Sequence, residues 1–118
     1  MSFKQLLIIQ LDSLPWSVLR PLIDEGDAPH LKALLESGCS GTLRSTIPPI
    51  TPAAWATFMT GVLPGQHGIL NFKGFDPVLN AYRLSDSRHL QGRNIYRMLS
   101  DGGLRVGVVM QPSVHPPF

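Results

Sequence analysis

Three prolines within five positions, Pro48, Pro49 and Pro52, leave the backbone around Thr51 few choices. Each proline fixes its own φ and pushes the residue before it into extended conformation, so residues 46–50 are predicted to approach Thr51 as a stiff, extended segment. A helix is predicted to start there, with Thr51 as the N-cap and Pro52 at the first helical position, where a missing N–H costs nothing. Ala53 to Met59 are good helix formers with an aromatic side, and Gly61 is the stop. A hydroxyl at such a helix start faces the positive end of the helix dipole, a place suited to a phosphate group or to the alkoxide of the threonine itself. Thr-Pro is also an ordinary way to begin a helix, so a plain capping role stays open. Trp55, Phe58 and Met59, at helical spacing, are expected in the core rather than as a platform for substrate.

A second constraint lies upstream. Lys4 to Leu11 form a short apolar run ended by Asp12 and Ser13, the pattern of a buried parallel strand that delivers the chain into a loop. Ligands in open α/β sheets collect at the carboxyl ends of strands, which favours a functional Asp12, although an aspartate there also caps a following helix. Helices are predicted for Trp16–Ile23 and Pro29–Ser37, the latter with Leu31, Leu34 and Leu35 on one face and Gly38 as its stop. Gly41–Ser45 is predicted to be a second strand, Gly61–Asn80 a loop, Ala81–Leu84 a short strand, and Asn94–Ser100 a helix with Ile95, Met98 and Leu99 inward. Gly102 and Gly103 stop that helix, and Arg105–Met110 is predicted as a further buried strand. This order argues for an α/β fold, a three-layer αβα arrangement around a mostly parallel sheet. If the first two strands pair, Asp12 and Thr51 end on one edge.

Composition narrows the function classes. The 118 residues suffice for one domain of modest size. Net charge is +2 with basic residues scattered, which disfavours a nucleic-acid surface. Cys39 is the sole cysteine, so an intrachain disulfide is impossible, and a small buried filler is its expected role. The apolar run at Leu6–Leu11 is interrupted by Gln10 and ended by Asp12, unlike a secretory signal, and no stretch has the length of a membrane span. A cytoplasmic, membrane-free protein is the expectation.

Thr51-Pro52, then Thr60-Gly61, then Pro64-Gly65-Gln66-His67-Gly68-Ile69 match in order and spacing a composite motif. The segment resembles the nucleophile motif of the type I phosphodiesterase/nucleotide pyrophosphatase family, within the alkaline phosphatase superfamily. The resemblance covers nearly the whole chain and implies an alkaline-phosphatase-like fold in which Thr51 is the nucleophile. It also implies two divalent metal ions, typically zinc, with Asp12 and Thr51 among their ligands. His67 belongs to the motif without binding metal, which agrees with its reading as a hydrogen-bonding residue of a tight turn. His89 and His115 have no helical partner at ligand spacing and are expected in loops.

Two positions depart from the family pattern. Ser13 stands where a glycine is usual, and Ala54 where nucleotide pyrophosphatases carry a phosphate-contacting asparagine. The substrate class therefore stays broad: a small phosphomonoester, phosphodiester or phosphonate. Threonine needs a base or a metal to become an alkoxide, and a cation shared by Asp12 and the Thr51 oxygen would serve. The family completes its sites with downstream aspartates and histidines whose motifs are not found in these residues. Residues 1–118 are accordingly expected to be the N-terminal part of a single longer catalytic domain, inactive alone. The alternatives are a non-catalytic α/β anion-binding domain and a purely structural fragment.

Overall fold

The computed structural model describes residues 5–117, and the chain falls into two compact units, residues up to Leu43 and residues from Arg44 on.

The first unit is a pair of helices. α1 spans Trp16–Glu25 and ends at Gly26, whose φ of 91° is the left-handed turn that lets its N–H reach back to the Ile23 and Leu22 carbonyls. Trp16 and Arg20, one turn apart, stack with the guanidinium 5.1 Å from the ring centroid. α2 spans Pro29–Ser37, as the sequence predicts, and touches α1. Its apolar face is only half covered: Leu31 and Leu35 are partly buried and Leu34 is exposed. Cys39 is exposed too, because it follows α2 in an irregular stretch and has no core beside it, contrary to the expected buried filler.

The predicted first strand is not formed. Lys4 lies outside the described residues, and residues 5–11 are irregular, with Leu7 and Ile9 strongly exposed. Gly41–Ser45 is irregular as well, Leu43 being 93% exposed. A strand is defined by a hydrogen-bonded neighbour, and among the described residues these two segments have none.

The second unit is built on α3, Thr51–Thr60. Ala54 N–H donates to the Ile50 carbonyl at 3.0 Å, the first helical bond, so Ile50 rather than Thr51 occupies the N-cap and Thr51 is the first helical residue. Gly61 ends the helix with φ 71°. Its buried face is Pro52, Ala53, Ala56 and Met59, a stripe of mostly small side chains that brings neighbouring backbone close. Met59 and Ala56 pack with Ile69 to form the core, flanked by Leu90, Tyr96 and Val114. Of the expected aromatic core face, Trp55 is only partly buried and Phe58 is exposed, since the small-residue stripe takes the inward position.

Residues 61–80 hold more than a loop. α4, Pro64–His67, is a single turn against α3, and β1, Lys73–Asp76, pairs antiparallel with β2, Ala81–Leu84. The hairpin turn is held by Asp76 Oδ1, which accepts the N–H groups of Val78 and Leu79 at 2.9 and 3.2 Å, and by Asn80 at φ 48°. Across the strands Arg83 Nε meets Asp76 Oδ2 at 2.7 Å, and Phe75 packs edge-on to Tyr82. A 3₁₀ turn, Ser87–His89, is capped by Asp86, so His89 sits in a short helical turn rather than a loop. α5, Ile95–Asp101, starts at Asn94, whose side chain accepts the Arg97 N–H. Met98 is exposed and Tyr96 takes the inward position instead.

Arg105–Met110 is irregular, with Val109 and Met110 exposed. Val106, Val108 and Met110 line one side of a groove of about 630 Å³ with Tyr96 and Val114. The architecture is thus a small mixed α/β one whose sheet, among the described residues, is the single antiparallel hairpin; the three-layer parallel sheet expected from the sequence is not observed.

Candidate functional site

The extended approach to Thr51 has its own lock. Thr46 Oγ1 donates to the Pro48 carbonyl at 2.8 Å, and the Ile50 N–H donates to that same carbonyl at 3.0 Å. The prolines thus lead into a turn tied down at both ends, and the half-buried Thr51 follows at the first position of α3. Pro52 and Ala53 behind it are buried, which anchors the first turn while the threonine stays at the unit's surface.

Beneath α3 lies His67, the last residue of α4 and 0% exposed. Its Nδ1 accepts the Ile69 N–H at 3.1 Å, so the proton of the neutral ring is on Nε2. Nε2 lies 3.0 Å from Thr57 Oγ1, and the ring also hydrogen-bonds the Ala53 backbone. Burial pushes the His67 pKa below its ordinary 6.5, against the opposing effect of its backbone hydrogen bonds. The His67 carbonyl accepts the Gln91 N–H at 3.0 Å. Gly68, at φ 80°, makes the reversal that returns the Ile69 N–H to the ring. The Pro-Gly-Gln-His-Gly-Ile stretch is therefore a folded brace under the threonine helix, and His67 has the hydrogen-bonding role expected of it.

Asp12 lies in the first unit, exposed, in the turn before α1; Thr51 lies in the second. Beside Asp12, Ser13 has φ 56°, a left-handed conformation that costs a side-chain-bearing residue roughly 1–2 kcal/mol. The glycine usual at this position in the family pattern matches that backbone demand.

Other acids and histidines have structural work. Arg88 hydrogen-bonds the Asp86 carboxylate by side chain and backbone and pulls its pKa down to about 2. Asp76 is likewise lowered, mainly by the Leu79 N–H in the hairpin turn. His89 Nδ1 accepts the Asp86 N–H at 3.0 Å, and the His115 carbonyl accepts the Ser87 N–H at 3.3 Å. Among the described residues, no three His, Cys, Asp or Glu side chains gather where a metal ion could be held.

The family model of type I phosphodiesterase/nucleotide pyrophosphatase matches residues 6–118, a span that takes in the Asp12 turn, the threonine helix and the His67 brace. The chain belongs to this family. No curated protein and no solved structure gives a significant match. Phosphodiesterases and pyrophosphatases of this type are hydrolases of small phosphoester and nucleotide substrates and generally depend on metal ions. Among the described residues no cluster of potential ligands meets that requirement.

Proposed function

We propose that the chain carries the nucleophile-bearing part of a phosphoester hydrolase, with the Thr51 oxygen attacking phosphorus and Asp12 serving as a metal ligand. Membership of the family across residues 6–118, with Thr51 at the motif's nucleophile position, carries the reading. The local geometry supports it. An attacking oxygen gains most when its carrier is held rigid, and α3 is held by the tied proline turn, by its buried small-residue face and by His67.

Attack forms a Thr51 Oγ1–phosphorus bond as the hydroxyl proton is released to solvent, and the ester oxygen departs with the electrons of the broken P–O bond and takes up a proton from solvent. Water then cleaves the adduct and restores the hydroxyl. The positive end of α3 favours the anionic phosphoryl group beside Thr51. The two cations implied by the family, zinc by resemblance, would take Asp12 and Thr51 as ligands and find the rest outside the described residues; they would supply charge neutralisation at the phosphoryl group. Ala54 at the first turn leaves phosphomonoesters, phosphodiesters and phosphonates all open as substrates.

In the same reading the two units belong to one alkaline-phosphatase-like catalytic domain in the cytoplasm. No helix is long and apolar enough to cross a membrane among the described residues.

Thr51→Ala in the full-length protein tests the reading with a chromogenic phosphodiester and phosphomonoester. Turnover is expected to vanish with the fold intact. Retained turnover excludes Thr51 as nucleophile.

A further inference from the structure

The nucleophile motif includes a histidine that the proposed reaction leaves without a part. His67 is fully enclosed, yet its polar atoms are engaged: Nε2 with Thr57 Oγ1, Nδ1 with the Ile69 N–H, the carbonyl with the Gln91 N–H, and the ring further with the Ala53 backbone. Burying a polar ring is costly unless every such bond is made. A leucine would fill the space without that cost, so packing alone does not call for a histidine. The imidazole does something an apolar side chain cannot: it joins two segments by directional bonds. One is the Ala53–Thr57 stretch of α3, which begins two residues after Thr51. The other is the turn at Gly68 and Ile69.

We propose that His67 is a positioning residue for Thr51, its imidazole clamping the N-terminal half of α3 to the Gly68–Ile69 turn and so fixing the direction in which the Thr51 hydroxyl is presented. The proposal rests on Thr51 being the nucleophile and deepens that reading. It concerns the donor side of the ring, Nε2–H, which faces α3; the acceptor side, Nδ1, serves only the turn. The two sides can be separated by amide side chains. Glutamine places an N–H₂ group near the position of Nε2 and so retains the bond to α3. Asparagine is too short to reach α3 and retains only an acceptor near Nδ1.

The experiment compares Thr51→Ala, His67→Gln, His67→Asn and Thr57→Val in the full-length protein. It measures kcat and KM on a chromogenic phosphodiester, and amide hydrogen exchange at Ala54, whose N–H makes the first bond of α3 to Ile50. His67→Asn is expected to lower kcat by about 100-fold with KM little changed and to speed exchange at Ala54, whereas His67→Gln stays within about threefold of wild type, as expected when misplacement of a reacting group is what costs rate. Thr57→Val removes the α3 partner while leaving the histidine and the turn intact, and is expected to lower kcat in the same sense should His67→Asn fail to fold. An inactive Thr51→Ala together with wild-type kcat in His67→Asn or, where that variant does not fold, in Thr57→Val overturns the positioning role alone. Equal loss in His67→Gln and His67→Asn also overturns it, since the ring would then matter only for packing. An active Thr51→Ala overturns the nucleophile reading and the positioning role with it.

Discussion

Replacing Thr57 by valine deletes one oxygen and keeps the side-chain volume, so the change isolates the link between α3 and the buried histidine. Oγ1 of Thr57 lies 3.0 Å from Nε2 of His67. Valine and threonine have similar helix propensities, and the methyl in place of the hydroxyl leaves no cavity. The cost is therefore the hydrogen bond itself, about 1 kcal/mol net, rising to about 1–3 kcal/mol where a buried donor is left without an acceptor. The ring keeps its bond to the Ala53 backbone, which argues for the lower half of that range, about 1–2 kcal/mol. In urea, with a slope of about 2 kcal/mol per molar, the unfolding midpoint should fall by roughly 0.5–1 M at unchanged slope. A double-mutant cycle with His67→Asn should show coupling between the two sites, because each variant removes the same bond. A Thr57→Val protein as stable as wild type, or two effects that simply add, would show that the helix is not held through this contact.

Further outcomes follow from the same geometry. Ile69→Ala opens the small core shared with Ala56 and Met59 and should cost about 2–5 kcal/mol, read as a large drop in thermal midpoint. Ser13→Gly exchanges about 1–2 kcal/mol of left-handed strain for glycine's extra unfolded-state entropy of about 0.5–1 kcal/mol, so it should leave stability unchanged or raise it by up to about 1.5 kcal/mol; a clear loss would mean the serine side chain has a role of its own. Acid unfolding should have two components. His67 has a lowered pKa and is neutral in the fold, so its contribution is complete above its ordinary 6.5 and declines as pH falls below that value, a component absent from His67→Gln. Asp86 contributes above the ordinary carboxylate value of 3.8 and loses its contribution as pH falls towards about 2, a component absent from Asp86→Asn.

The helices were legible in the sequence because their signals are local. Pro29 and Pro52 lie at starts and Gly38, Gly61 and Gly102 at ends, whereas α1 runs two residues past the predicted Ile23 to Glu25 and Asn94 caps α5 instead of opening it. Even so the helix start at Thr51 is one residue earlier than proline placement implies, because the Ile50 carbonyl already accepts a helical bond. The hairpin was half legible. Ala81–Leu84 shows as a strand, but its partner Lys73–Asp76 contains a glycine and hides behind the turn residues, and the Asp76–Asn80 turn was the available signal. Strand formation at residues 5–11, 41–45 and 105–110 depends on partners distant in sequence, which periodicity cannot supply. Of the candidate site, the motif located the Thr51 helix and the His67 turn but could not foresee that histidine bonds bind the two together. Ser13 was visible only as a departure from a pattern; its φ of 56° gives that departure a physical meaning.

In the proposed reaction the Thr51 oxygen takes up the phosphoryl group. The most direct measurement is to mix the full-length protein with a chromogenic phosphodiester, quench in acid during turnover, and map the digested peptides by mass spectrometry. A phosphoryl adduct is expected on Thr51, and it should vanish in Thr51→Ala along with turnover. Turnover that persists with no adduct at Thr51, or an adduct on another side chain, would contradict it.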